Sequence, residues 1–75
     1  MRTIDAAATG ANIRRLIARK GITTFQLSQR LGLTTPNVCY RWYTGETMPR
    51  IDNLVLISSI VGCELGELIK VREVT

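Results

Sequence analysis

The chain has no histidine and only two cysteines, Cys39 and Cys63. Zinc takes about four Cys or His ligands, so a structural zinc site is excluded and no metal is expected. Both cysteines sit in apolar runs, where they are expected as buried, reduced, small hydrophobes. A single bridge between them is the alternative, but nothing else suggests secretion. Aromatic residues make up only 5% of the chain. The longest apolar run, Leu54–Cys63, is broken by Ser58 and Ser59 and is too short to cross a bilayer. The opening residues MRTIDAAATG lack the apolar centre of a signal peptide, so a cytoplasmic protein without membrane attachment is expected. There is no phosphate-cradling Gly-rich loop and no pair of carboxylates placed for acid–base work. Glu64 and Glu67 are three apart, but they read as a solvated helix edge. Enzymatic activity, a cofactor and a small-molecule ligand are therefore not expected.

What remains is a basic, helix-forming chain of 75 residues, near the lower limit for a self-sufficient core. Its net charge is +4, and it is unevenly placed: residues 1–50 carry +6 and residues 51–75 carry −2. A basic half favours a polyanionic partner. No segment alternates with the two-residue period of a half-buried strand, so the fold class is all-α. Residues 1–8 read as an N-terminal arm or short extended lead-in anchored by Ile4, residues 9–70 as a compact five-helix domain, and residues 71–75 as a tail.

Thr9 is the candidate N-cap of the first helix, about residues 10–20. Ile13, Leu16 and Ile17 face inward, and Arg14, Arg15, Arg19 and Lys20 crowd the outer side. Gly21 ends the helix. Thr23 caps a second helix over residues 24–31, in which Leu27 and Leu31 point inward and Ser28 lets a neighbour approach. Phe25 falls on the other side, either on the surface or against the arm. Gly32, Leu33 and Thr34 make a tight turn. Thr34 or Thr35 caps the third helix, residues 35–44, and Pro36 stands in its first turn, where a missing N–H costs nothing. Gly45 stops it and Pro49 blocks continuation. The fourth helix, residues 51–61, has Asp52 in its first turn. It is apolar over most of its circumference, as a central or a shared helix would be. Gly62 ends it. The last helix, residues 65–70, is weakened by Gly66.

The third helix has two unlike flanks. Val38, Cys39 and Trp42 make one, while Asn37, Tyr40, Arg41 and Thr44 recur on another at helical spacing. Such a polar face either rests in water or reads a partner.

With these residues in place, the sequence resembles the Cro/cI-type helix-turn-helix regulators, the XRE family of prokaryotic, lambda-repressor-like domains. The resemblance runs from Thr9 to Ile69. It is carried by Ile13 and Leu16, Gly21-Ile22-Thr23, Leu27-Ser28, Leu31-Gly32-Leu33-Thr34, Arg41-Trp42, Gly45, Glu46, Pro49, Asn53-Leu54, Ile57-Ser58 and Leu65 to Ile69. The interval from Gly32 to Trp42 is one residue longer than the commonest family spacing. Tyr43 stands where many relatives have a Glu, which removes an ion pair common in the family. Glu64 replaces the usual Ser or Thr cap of the last helix.

The resemblance implies a DNA-binding transcriptional regulator, expected to be a repressor and a homodimer. Its third helix would enter the major groove of double-stranded DNA. Candidate base contacts are Thr35, Asn37, Tyr40, Arg41 and Thr44. Arg41 suits a guanine edge or a phosphate, and Asn37 an adenine edge. Candidate phosphate contacts are Thr23, Thr24, Thr34, Thr47 and Arg50. Val55, Leu56, Ile60, Leu65 and Ile69 are candidate dimer contacts. The alternative is a protein-interaction module of the same fold, from a toxin–antitoxin or mobile-element system. Exposure of Phe25, Tyr40 and Tyr43 together would favour it.

Overall fold

The computed structural model describes residues 1–74; Thr75, the end of the expected tail, lies outside the described residues. Five helices follow one another: α1 (Ala6–Arg19), α2 (Thr24–Arg30), α3 (Asn37–Thr44), α4 (Ile51–Val61) and α5 (Leu65–Leu68). Two three-residue strands, β1 (Arg2–Ile4) and β2 (Val71–Glu73), close the ends of the chain.

The extended lead-in expected before the first helix is a strand here, its pairing in a small sheet was not expected, and the five-helix, all-α class stands. The two strands pair antiparallel, with Arg2 opposite Glu73, Thr3 opposite Arg72 and Ile4 opposite Val71. The backbone bonds continue beyond them, from Val74 N to Met1 O (2.8 Å) and from Asp5 N to Lys70 O (2.8 Å). All six strand residues are exposed. With neither face buried, no alternation of apolar and polar residues is required, which is why the sequence carries none.

The start of α1 is a correction. The helix begins at Ala6, not near Gly10, and its cap is Asp5, whose Oδ1 accepts from Ala8 N (2.9 Å). Thr9 lies inside the helix, fully buried, and its hydroxyl serves another purpose. It accepts from Lys70 N (2.9 Å) and donates to Lys70 O (3.3 Å). That same junction ends α5 early. Ile69 is already extended (φ −85°, ψ 130°), so the helix stops at Leu68 and not at Lys70 as the pattern suggested.

The middle of the chain follows local rules closely. Thr23 caps α2 in a reciprocal box with Gln26. In α3 the cap is shared. Thr35 Oγ1 accepts from Asn37 N (3.3 Å), and Pro36 already has helical angles, so regular helix runs from 37 rather than 35. The span of α4 is the expected one. Glu64 stands at the cap of α5, where its N–H donates to Glu67 Oε1 (3.0 Å).

The core comprises Ile13 and Ile17 of α1, Leu27 of α2, Cys39, Trp42 and Tyr43 of α3, Leu54 and Ile57 of α4, and Leu68 of α5. Leu16, expected inward with them, is only partly buried against this cluster. Two backbone approaches fix how α1 crosses α3. A Cβ on Gly10 would stand 1.7 Å from the carbonyl oxygen of Trp42, so only glycine fits. Gly45, which ends α3 at φ +83°, lies against Ala7; a Cβ there would stand 2.7 Å from Ala7 Cα. A buried amide ties α1 to α5, because Asn12 Nδ2 donates to the carbonyls of Glu67 (3.1 Å) and Leu68 (3.0 Å). These carbonyls end a helix and have no partner within it. Arg15 Nη2 donates to Asn12 Oδ1 at 2.7 Å and holds the amide in that orientation.

The apolar breadth of α4 is only partly covered. Leu54 and Ile57 are buried, Ile60 is half-buried, and Ile51, Val55 and Leu56 are exposed. Among the described residues no helix is long and apolar enough to cross a membrane.

Candidate nucleic-acid interface

The site is α2, its turn and α3. The turn closes by backbone bonds from Gly32 N to Gln29 O (3.1 Å) and from Leu33 N to Ser28 O (2.9 Å). Ser28 is buried, and its hydroxyl donates to Phe25 O (2.7 Å), so it leaves no polar atom facing the core. Its small size lets α2 and α3 meet closely.

On α3 the inner flank is Cys39, Trp42 and Tyr43, all buried. The outer flank leaves Asn37, Tyr40, Arg41 and Thr44 exposed, with Thr35 half-buried at the start. These five side chains offer an amide, a phenol, a guanidinium and two hydroxyls. Thr44 Oγ1 donates to Arg41 O (3.1 Å), which leaves its lone pairs outward. Arg41 Nε lies 3.8 Å from a carboxylate oxygen of Glu46, with both side chains more than half exposed.

The expected phosphate contacts are spread around this helix. Thr23, Thr34, Thr47 and Arg50 are exposed. Thr24 is half-buried, and its hydroxyl is shared with that of Tyr43 at 3.0 Å. Of the expected dimer residues, Val55 and Leu56 are exposed, and Ile60, Leu65 and Ile69 are half-buried. Phe25 is on the surface, 59% exposed.

One grouping of side chains escaped sequence reasoning. Tyr43 is 6% exposed, and Tyr40 meets it edge-on, with centroids 5.6 Å apart and rings at 89°. The guanidinium of Arg14, from α1, lies 5.1 Å from the Tyr43 centroid and 5.9 Å from that of Tyr40. Both distances suit a cation over an aromatic ring. In sequence, Arg14 is one of four cations on the outer side of α1, and nothing distinguishes it. The signal was Tyr43 itself: an aromatic ring in place of an acid leaves a cation seeking a π-face. Burial pushes the Tyr43 phenol up from its ordinary value, and the Thr24 hydrogen bond partly offsets this. Burial also pushes up the Cys39 thiol, against a backbone hydrogen bond. The Cys63 thiol is raised by burial and then by Glu67 and Glu64. Both cysteines are free; Cys39 is buried and Cys63 half-buried.

Residues 12–73 match the family model of the Cro/C1-type HTH DNA-binding domain. Solved structures share the fold. The clp gene regulator ClgR from C. glutamicum is 21% identical over 84% of this chain and 80% of that one, with a TM-score of 0.73. A transcriptional regulator from Listeria innocua is 25% identical over 89% of this chain and 63% of that one, with a TM-score of 0.75. The S. venezulae BldD DNA-binding domain is 17% identical over 87% of this chain and 96% of that one, with a TM-score of 0.70. Comparison with curated proteins gave no match.

Proposed function

Because the chain belongs to the Cro/C1-type helix-turn-helix DNA-binding family, we propose that it is a repressor that lays α3 in the major groove of an operator. The observation that carries this reading is the division of α3. One flank is locked in the core, and the other presents Asn37, Tyr40, Arg41 and Thr44 to solvent. A rigid helix with an exposed hydrogen-bonding face is what base readout needs, since each base pair shows a distinct donor and acceptor pattern in that groove. Arg41 takes a guanine edge and Asn37 an adenine edge, each good bidentate contact contributing about 1–3 kcal/mol of discrimination. Tyr40, Thr44 and Thr35 complete the face. Thr23, Thr24, Thr34, Thr47 and Arg50 hold phosphates and set register without reading sequence.

One such domain covers few base pairs, so two copies act together on half-sites about 34 Å apart. The exposed Val55 and Leu56, with Ile60, Leu65 and Ile69 beside them, form the contact between copies. The site of action is cytoplasmic DNA. A protein-docking role is less well supported, because Tyr43 is buried and the aromatic surface is reduced to Phe25 and Tyr40.

Selection from a randomised duplex pool tests the reading. A two-fold motif is the expected result, with affinity falling steeply as salt rises. Enrichment of nothing overturns operator recognition. Sedimentation as a monomer at high concentration, with and without the selected duplex, overturns the dimer.

A further inference from the structure

The helix-turn-helix unit does not hold Tyr40 by itself. Tyr40 is 46% exposed, and its ring meets the edge-on Tyr43 and lies 5.9 Å from the guanidinium of Arg14. Tyr43 is fixed at its other end by the Thr24 hydroxyl in the first turn of α2. Arg14 is exposed and has no carboxylate within 4 Å among the described residues, and its guanidinium lies within 6 Å of both ring centroids. Arg14, Tyr43, Thr24 and Tyr40 thus form one train of contacts through three helices.

We propose that Arg14 is a positioning residue for the reading face: it clamps the Tyr40 ring between α1 and Tyr43 and so sets base preference at the step beneath Tyr40. The proposal rests on α3 being the reading helix. The physical case is the planarity of guanidinium. The rings stand at 89° to each other, so a flat, weakly hydrated cation can stack on one of them while its charge stays within 6 Å of the other, which a compact, strongly hydrated ammonium does less well. An exposed tyrosine on a helix otherwise samples several rotamers and presents its hydroxyl to no single place. A ring held from behind meets a base edge or a thymine methyl at one position, and less ordering is lost on binding.

The competing role for Arg14 is a plain phosphate contact, and the two differ in what they do to salt dependence and to lysine. The test compares duplex selection and salt titration for the parent chain, Arg14→Lys, Arg14→Met, Tyr40→Ala and the Arg14→Met/Tyr40→Ala double variant. Folding of each is checked by thermal melting. The expected result is that both Arg14 variants flatten preference about threefold at the same base step that Tyr40→Ala flattens, and leave the other steps unchanged. The double variant is no flatter than Tyr40→Ala, and the salt slope of Arg14→Lys equals that of the parent.

Three results overturn the proposal while leaving DNA reading intact. In the first, Arg14→Lys keeps full preference, while Arg14→Met weakens all sequences alike and lowers the salt slope by about one, as loss of a phosphate contact would. In the second, every step flattens equally, as a merely structural role would give. In the third, the Arg14 variants change nothing. Failure of the parent chain to enrich any sequence overturns both readings. Should Arg14→Met fail to fold, nuclear Overhauser contacts between the Arg14 side chain and the Tyr40 ring in the free parent decide; their absence refutes the clamp.

Discussion

Replacing Gly10 by alanine is the sharpest test of how α3 is positioned. In an exposed helix interior, glycine to alanine stabilises by up to about 1 kcal/mol, because alanine has less backbone freedom to lose. At Gly10 that gain is outweighed. The added Cβ would stand 1.7 Å from Trp42 O, 2.7 Å from Trp42 C and 3.0 Å from Tyr43 Cα. All three are backbone atoms, so no rotamer change relieves the contact, and α1 and α3 must separate by roughly 1.5–2 Å to reach ordinary van der Waals distance. Overpacking of this kind costs about 1–3 kcal/mol or more, and separation also loosens Ile13 and Trp42 in the core. The net loss is about 2 kcal/mol, out of a total stability on the order of 4–11 kcal/mol for a chain of this size. Melting should fall by about 8–16 °C. The control is Gly66→Ala. Gly66 has no atom within 4 Å of a built Cβ and sits in α5, so the same substitution should stabilise by a few tenths of a kcal/mol up to about 1. Thermal melts followed by far-UV circular dichroism decide. A Gly10→Ala variant as stable as the parent refutes the close crossing of α1 and α3, and with it the placement of the reading helix.

Thr9→Val keeps the shape of the side chain but strips Lys70 N of its partner; a loss of about 1–3 kcal/mol in denaturant unfolding is expected. Tyr43→Phe removes the bond to Thr24 and should cost about 1 kcal/mol at neutral pH. It should also change the alkaline limb. The unfolded phenol ionises near pH 10 and the folded one higher, so the stability from keeping Tyr43 neutral is complete below about pH 10 and is lost as pH rises through the folded value. The phenylalanine variant should lack that part of the decline when unfolding is followed from pH 9 upward. Glu46→Gln frees Arg41 and removes a negative charge from the reading side. Affinity for the selected duplex should rise, by no more than about fivefold given the small worth of an exposed pair. An unchanged or weaker affinity in a gel-shift titration argues against Arg41 as a DNA contact.

The helices that could be read from sequence are those with both a local start signal and an apolar stripe. Helix α4 has Asp52 in its first turn, Gly62 at its end and leucines and isoleucines between, and its span is as expected. Helix α1 lacks the stripe over Ala6–Ala8, so Thr9, a residue of capping type, drew the boundary away from Asp5. The true use of Thr9 depends on Lys70, 61 residues away, and no local pattern encodes such a partner. The same junction shortens α5 and starts β2. For the candidate interface, the period of α3 was enough to separate Trp42 from Asn37 and Arg41. It was not enough to place Tyr43, which lies at the border between flanks and is drawn inward by Thr24 and Arg14. Gly10 read as a helix start and is a crossing point, a role that only the neighbouring backbone reveals.

The pairing of β1 with β2 has a consequence for the order of events in folding. The helices and the turn between α2 and α3 depend on contacts near in sequence, which form early and cheaply in chain entropy. The small sheet joins segments about 70 residues apart, so its closure entropy is the largest of any contact among the described residues. Synthesis runs from β1 towards β2, so β1 stays unpaired until β2 has been made. Throughout that interval Asp5 N and the Thr9 hydroxyl lack their Lys70 partners. Until then the first helix of the domain is not tied down at its amino-terminal end.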